Sequence, residues 1–279
     1  SFPDRQFIAS WSSSFDLAHN ISEPMTGRVL IYRLYPLSYH ELRAWKTTVE
    51  FLDSINDILN YGSYPDVVTA KRENKEEILD TLSNLYLFKD VLALDWIQKS
   101  QLLIKLTKIL AGQIGQELSL NELSNTLDTS IVTIEKYLTI LEKSFIIFSL
   151  PGFHRNLRKE IKGNKKYYFW DIGVRNSLLE RYGDVQRRED KGALWENYCI
   201  AEKIKQHDYH QQQWSFYFWR TYDQQEIDLV YTKDEEIKAR ECKWNDTKKY
   251  RPPKIFENTY ATQLQLVTPS TLEFFLWSG

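Results

Sequence analysis

The sequence is short of several features by which a function usually announces itself. It has two cysteines, Cys199 and Cys242, and one methionine, Met25, among 279 residues. Two cysteines build no disulfide framework, and no Cys/His spacing here resembles a zinc site. A reducing, cytoplasmic compartment is the expected setting. Charge of one sign is lacking too: 36 Lys and Arg stand against 38 Asp and Glu, a formal net charge of −2. That balance excludes a basic nucleic-acid tail or an acidic solvating chain as the whole protein, so a charge-driven partner must meet a local patch. Long apolar runs are absent. Stretches such as Phe145-Ile146-Ile147-Phe148 fall far short of the roughly 20 residues that span a bilayer, and no membrane partner is expected. The opening Ser-Phe-Pro-Asp-Arg-Gln has neither the charged nor the apolar segment of a signal peptide. With Ser at position 1 and methionine only at 25, the chain is expected to be cut from a longer protein.

What is present is apolar and aromatic. Nine Trp, 17 Tyr and 14 Phe sit in a chain that is 42% hydrophobic, which excludes wholesale disorder. Arg5 to Ser10 reads as a short strand entering Ser12-Ser13-Ser14, and Val29 to Leu34 as a second strand closed by Pro36. From His40 to Leu110 the pattern is helical, interrupted where Gly and Pro punctuate Tyr61-Gly62-Ser63-Tyr64-Pro65. Ser119-Leu120-Asn121-Glu122 fits a capping box, with Ser119 accepting from the Glu122 N–H and the Glu122 carboxylate reaching back. A short helix to Leu127 and a turn at Asp128-Thr129 follow. Ile131, Ile134, Leu138 and Leu141 then make one apolar helix face. Phe145 to Leu150 and Lys166 to Trp170 read as strands around a basic loop. Helix, turn, helix and hairpin is the order of a winged helix-turn-helix.

The loop carries Arg155, Arg158, Lys159, Lys162, Lys165 and Lys166 against Glu160 alone, a local charge of +5. Such a wing suits phosphate contact, and equally a solvated hairpin tip. Thr133, Glu135 and Lys136 on the second helix are ordinary exposed residues rather than evident base readers.

The last ninety residues hold the chemistry. Gly192 to Gln206 is helical by pattern, and Glu196 sits there among Ala193, Cys199 and Ile200, a carboxylate on an apolar stripe. Trp214 to Trp219 is β-prone. Gln225 to Tyr231 and Ile237 to Trp244 read as a hairpin turning at Asp234-Glu235. A loop centred there opposes residues whose numbers sum to 469, which sets Asp228 against Glu241 and Glu226 against Lys243. Strand alternation places Asp228, Glu241 and Lys243 on one face. Like charges directly opposed are destabilising, so a proton, a cation or Lys243 must offset them. A Mg²⁺ ion, which takes one or two carboxylates and waters, fits that description.

Glu196, Asp228 and Glu241-Cys242-Lys243 resemble the Glu…Asp…Glu-x-Lys core of the PD-(D/E)XK nuclease superfamily. The surrounding phrases Gly192-Ala-Leu-Trp-Glu-Asn-Tyr198, Phe218-Trp-Arg220 and Gln225-Glu-Ile-Asp-Leu-Val230 strengthen it. With Ser12-Ser13-Ser14-Phe15-Asp16-Leu17, Thr26-Gly27-Arg28, Tyr35-Pro36-Leu37-Ser38, Gly62-Ser63-Tyr64-Pro65 and Lys89-Asp90-Val91-Leu92, nearly the whole chain resembles the C-terminal part of a bacterial or archaeal AAA-type ATPase family. In that family a nucleotide-binding core precedes a winged helix and a nuclease-like domain of unknown function.

The resemblance implies a multi-domain α+β and α/β chain. Its parts are an ATPase-core remnant (1–40), a helical extension (41–110), a winged helix (111–182) and a restriction-endonuclease-like domain (188–279). It implies that Asp228, Glu241 and Glu196 hold Mg²⁺, that Lys243 positions water or stabilises charge, and that Ser12, Ser13 and Arg28 lie near nucleotide. Trp11 stands where the family usually has a small residue before the serines. No G-x-x-x-x-G-K-[ST] phosphate loop occurs in the chain, so ATP belongs to the full-length protein and its missing core is the expected partner. DNA at the wing and further copies of the chain complete the expected partners. Three functions stay open: a Mg²⁺-dependent nuclease, an inactive nuclease-like module that binds or regulates the ATPase, and a winged-helix DNA-binding regulator.

Overall fold

The computed structural model describes residues 30–83, 100–154, 163–245, 250 and 252–277. The strand read at Arg5 to Ser10 lies outside them. Among the described residues the second strand shows no ladder pairing over 30–34, and Leu30, Ile31, Tyr32 and Leu34 are exposed.

Helices follow, the first two carrying side-chain caps. Helix α1 (Tyr39–Arg43) and α2 (Thr48–Tyr61) each open with a reciprocal capping box, Ser38 with Glu41 and Thr47 with Glu50. Helix α2 stops at Gly62, whose φ of 74° ends the helical path, and Pro65 starts α3 (Pro65–Thr69) at its first turn. Among the described residues α4 (Lys75–Thr81) comes next and then α5 (Ser100–Gly112).

The winged helix is built as its pattern predicts, with one addition. A short strand β1 (Glu117–Leu118) precedes α6 (Leu120–Thr126) and α7 (Ile131–Lys143), then β2 (Ile147–Pro151) and β3 (Lys165–Phe169). The strands run β1-β3-β2, all antiparallel. Ser119 caps α6 by accepting from the Glu122 N–H at 3.4 Å, which is one half of the expected box. Ile134, Leu138 and Leu141 are buried as their spacing requires, whereas Ile131, in the first turn of α7, is partly exposed.

Helix α8 (Ile172–Leu179) is the hub on which these parts meet, touching α2, α4 and α5. Its N-cap Asp171 is buried and accepts from the Val174 N–H at 3.0 Å and the Ser63 N–H at 2.7 Å. Asn176 donates to the Leu59 and Asn60 carbonyls, both at 2.9 Å, and so closes the end of α2. Arg175 is buried, donates to Ala111 O at 2.7 Å, and pairs at 2.6 Å with Asp190, which Arg188 also grips at 2.8 Å. Burial resists the charge on Asp190, but the two guanidiniums win and hold its carboxyl well below the usual range.

The C-terminal module starts with α9 (Lys191–Tyr209) and continues through β4 (Ser215–Arg220), β5 (Glu226–Lys233) and β6 (Glu236–Cys242). Helix α10 (Lys254–Tyr260), strand β7 (Leu264–Val267) and helix α11 (Leu272–Trp277) finish it. The sheet runs β4-β5-β6-β7, antiparallel except for the parallel β6–β7 pair. The chain as a whole is a mixed α+β protein with two sheets. The sheets touch where Gly152 bridges Phe218 and the Phe153 N–H donates to Phe218 O at 2.7 Å. One apolar core runs through both modules, and a smaller one of Trp219, Ile227, Val230, Ala239 and Phe256 forms separately. Among the described residues no helix is long and apolar enough to cross a membrane.

One tight approach, one open glycine and one buried pair make this junction testable. A Cβ on Gly173 would stand 2.1 Å from Tyr61 O, whereas one on Gly112 would meet nothing within 4 Å. Gly173→Ala should therefore cost about 3 kcal/mol in urea unfolding, the top of the range for overpacking. Gly112→Ala should cost nothing. Asp190→Ala takes the carboxylate from the buried Arg175 guanidinium and should cost about 3 kcal/mol, the low end for a broken buried pair, because Asp190 is partly exposed and Arg175 keeps Ala111 O. Equal stability of Gly173→Ala and wild type would show that α2 and α8 are not packed this closely.

Candidate functional site

The β5–β6 hairpin turns at Asp234-Glu235, with Asp234 at φ 54°, and pairs Leu229 with Arg240 and Lys233 with Glu236. Both pairs sum to 469, the register expected from the sequence. The ladder ends at Leu229–Arg240. Beyond it the Asp228 side chain replaces a backbone partner, its Oδ2 accepting from the Cys242 N–H at 2.8 Å. Glu241 is next to it, opposite Leu266 on β7. Lys243 leaves β6 with its N–H bonded to Val267 O, and its ammonium pairs with Glu241 Oε1 at 2.6 Å. Asp228, Glu241 and Lys243 are thus brought together. Lys243 does not face Glu226, because the β5–β6 pairing has already ended. Glu226 instead faces Arg220 across β4 and pairs with it at 3.6 Å.

Glu196 reaches the same place from α9. Its Oε1 accepts from the Tyr168 phenol at 2.7 Å and lies 3.5 Å from the Lys166 ammonium. Gly115, at φ 72°, leaves room for it: a Cβ there would sit 3.0 Å from Glu196 Oε1. The next residue, Asn197, fixes the height of the helix against β3, accepting from Phe169 N at 2.8 Å and donating to Phe169 O at 2.7 Å.

Asp228 and Glu241 are buried, and Glu241 Oε2 is buried without a hydrogen-bond partner among the described residues. Burial first, and then mutual repulsion with Asp228, raises the Glu241 carboxyl to about 7 and that of Glu196 to about 8. Burial likewise raises Asp228, against the pull of Lys166 and Lys243. Burial would lower the Lys243 ammonium, but Asp228 and Glu241 overcome it and raise the value. The Tyr250 ring lies 5.6 Å from the Lys243 nitrogen, and its phenol is pushed up by burial and then by Glu241 and Asp228. Among the described residues no three His, Cys, Asp or Glu side chains are grouped as a metal cluster.

Lys166 is placed differently from its expected role in a phosphate-binding wing. Its side chain is 1% exposed, and its ammonium is held by Glu226 and Glu196 above the Phe218 ring. Burial opposes its charge, but Glu196, Glu226 and Asp228 together raise its pKa. Lys165 is half-buried at the start of β3. Ser12, Ser13, Arg28, Arg155, Arg158, Lys159 and Lys162 lie outside the described residues. The sequence reading missed Lys166 and Tyr168 as neighbours of Glu196. Strand alternation was the available signal, since it sets both on one face of β3. Arg220, which links Glu226 to Glu117 of β1 at 3.2 Å, gave no such signal.

Glu202 also departs from its surface-like neighbours in sequence. It is buried, ion-paired with Lys205 at 2.8 Å, and accepts from the Tyr39 N–H at 2.5 Å at the start of α1. It serves the packing of α1 and α2 against α9 rather than the carboxylate group.

Comparison with known proteins divides the chain at the start of α9. Residues 52–184 match the model of a domain of unknown function, DUF8612, and residues 191–274 match that of a second, DUF4143. An uncharacterised protein of Haemophilus influenzae is 26% identical over 185 residues, covering 63% of this chain and 46% of the relative. Uncharacterised proteins of Mycobacterium tuberculosis and Mycobacterium bovis are each 25% identical over 228 residues, or 80% of this chain and 49% of theirs. The chain therefore spans about half the length of the curated relatives it matches. No solved structure matches it.

Proposed function

We propose that the C-terminal module is a divalent-cation-dependent phosphodiesterase site acting on DNA, carried by an ATPase of the AAA type whose nucleotide-binding core lies in the longer protein. The observation that carries this reading is the buried, unpartnered Glu241 Oε2 beside a second buried carboxylate, Asp228. An oxygen in that position costs free energy until a proton or a cation meets it. The order helix, three antiparallel strands, helix, parallel strand and helix agrees with the resemblance to PD-(D/E)XK nucleases.

The donor set suits Mg²⁺, a hard cation commonly bound by one or two carboxylates with the rest of its shell water. Asp228 and Glu241 would hold it, with help from Glu196. Bound there, it supplies Lewis acidity to a phosphodiester and lowers the pKa of the attacking water. The protein's own groups do the remainder. Lys243, about two-fifths exposed at the edge of the site, orients the water or meets the charge that builds on phosphate. The parallel β6–β7 pair fixes where Glu241 points, and the Cys242 N–H fixes Asp228.

A second reading is favoured by the 2.6 Å pair between Lys243 and Glu241. A lysine that neutralises the carboxylates by itself suits an inherited skeleton now used for binding or regulation. Arg240 does not help in this, since it turns to Ala239 O and the Tyr231 ring.

Plasmid cleavage with Mg²⁺ or Mn²⁺ separates the two. The nuclease reading expects cleavage that falls about 100-fold or more in Asp228→Ala, and calorimetric Mn²⁺ binding that disappears in Glu241→Gln. Cleavage of equal rate in Asp228→Ala ends that reading, and the absence of both Mn²⁺ binding and cleavage favours the regulatory one.

The pH dependence follows from the raised carboxyls. Glu196 and Glu241 hold protons in the folded state that the unfolded chain releases near their usual value of 4.5. Their contribution to stability is complete below about 4.5 and is lost as pH rises through about 7 and 8. Thermal unfolding in EDTA should show this fall, and Glu241→Gln should flatten it. Mn²⁺ binds the ionised form, so its stabilising effect should grow from pH 5.5 to pH 8. An equal effect at both would count against carboxylate binding.

A further inference from the structure

We propose that Lys166, a residue of the winged helix, is the resident counter-ion of the carboxylate site and that a divalent cation must displace it from Glu196 to bind fully. The inference rests on the metal reading above and adds to it a regulating group from another part of the chain. Lys166 is the second residue of β3, paired with Glu117 on β1 and Leu150 on β2. It belongs to the strand framework of the wing, yet its ammonium is buried between Glu196 of α9 and Glu226 of β5. A lysine is rarely buried fully without a partner, and here two carboxylates receive it.

Two details make Lys166 a competitor rather than a bystander. First, Tyr168, on the same face of β3, bonds the same Glu196 oxygen at 2.7 Å. The pair holds Glu196 against the winged helix, and among the described residues it is not part of a three-ligand metal group. Secondly, Lys166 and a divalent cation seek the same carboxylates, and like charges a few ångströms apart in a buried site repel strongly. The cation and the ammonium cannot both sit at Glu196. Contact between β3 and α9 is thereby coupled to occupancy of the site. Anything that draws β3 from α9, such as strain on the wing, raises cation affinity, and cation binding loosens β3 in return.

The probe is Mn²⁺, titrated by calorimetry into the whole chain. Lys166→Met removes the competing charge and should bind Mn²⁺ about tenfold tighter or more. Lys166→Arg keeps the charge and should stay within about threefold of wild type. Wild type and Lys166→Met binding equally, or Lys166→Met binding more weakly, overturns the inference while leaving the metal reading standing. No Mn²⁺ binding by either overturns both. Should Lys166→Met fail to fold, the wild-type protein still decides. The slowly exchanging ¹H–¹⁵Nζ resonance of Lys166, identified by its absence in Lys166→Arg, should shift or vanish as Mg²⁺ saturates. An unchanged resonance at saturation overturns the inference.

Discussion

A carboxylate removed from water must find a positive or hydrogen-bonding partner, and the architecture around residues 196, 228 and 241 follows from that constraint. One helix and one hairpin put three such groups together. The hairpin answers for two of them from its own length, with the Cys242 N–H on Asp228 and the Lys243 ammonium on Glu241. Nothing on α9 answers for Glu196, whose helical neighbours are apolar. Its partners come from the winged helix, and so β3 has to lie against α9 at a fixed height. The pair of hydrogen bonds between Asn197 and the Phe169 backbone sets that height, and the glycine at 115 admits the glutamate.

The same logic repeats at the other junctions. Asp171, Asn176, Arg175 and Asp190 are polar groups placed where helices of the first half meet α8 and α9. Each is buried or half-buried with its partners in place. Apolar packing would hold these helices together in many orientations. A buried aspartate that must receive the Ser63 and Val174 N–H groups accepts few of them. Gly62 and Gly173 then have no side chain because the Asp171 carboxylate and the Tyr61 carbonyl already occupy the space.

Local features were legible in the sequence. Helix and strand periods placed the winged helix and the β5–β6 register, because a two-residue turn fixes every opposed pair along a hairpin. That register alone brought Asp228 to Glu241. What stayed hidden was the side-chain traffic between modules. Lys166 stands among five other basic residues and looks like one more of them, yet its burial is decided by the docking of α9, which no local pattern encodes. Glu202 was hidden for the same reason: its partner, the Tyr39 N–H, is 163 positions away. Leu30 to Leu34 differ in the opposite sense, having the composition of a strand but no partner strand among the described residues.

The carboxylate group is asymmetric in a way that bears on approach. On one side stands Lys166, 1% exposed and enclosed by Glu196, Glu226 and Phe218. On the other stands Lys243, 38% exposed, between Glu241 and the Tyr250 ring. An anionic ligand nearing Glu241 from solvent meets the Lys243 charge first, and that charge offsets the repulsion the carboxylates would otherwise present. Lys166 has no such access and can act only on the carboxylates themselves. Two lysines flanking one carboxylate group are therefore not interchangeable. The outer one is reached from solvent, and the inner one is confined to the carboxylates it neutralises.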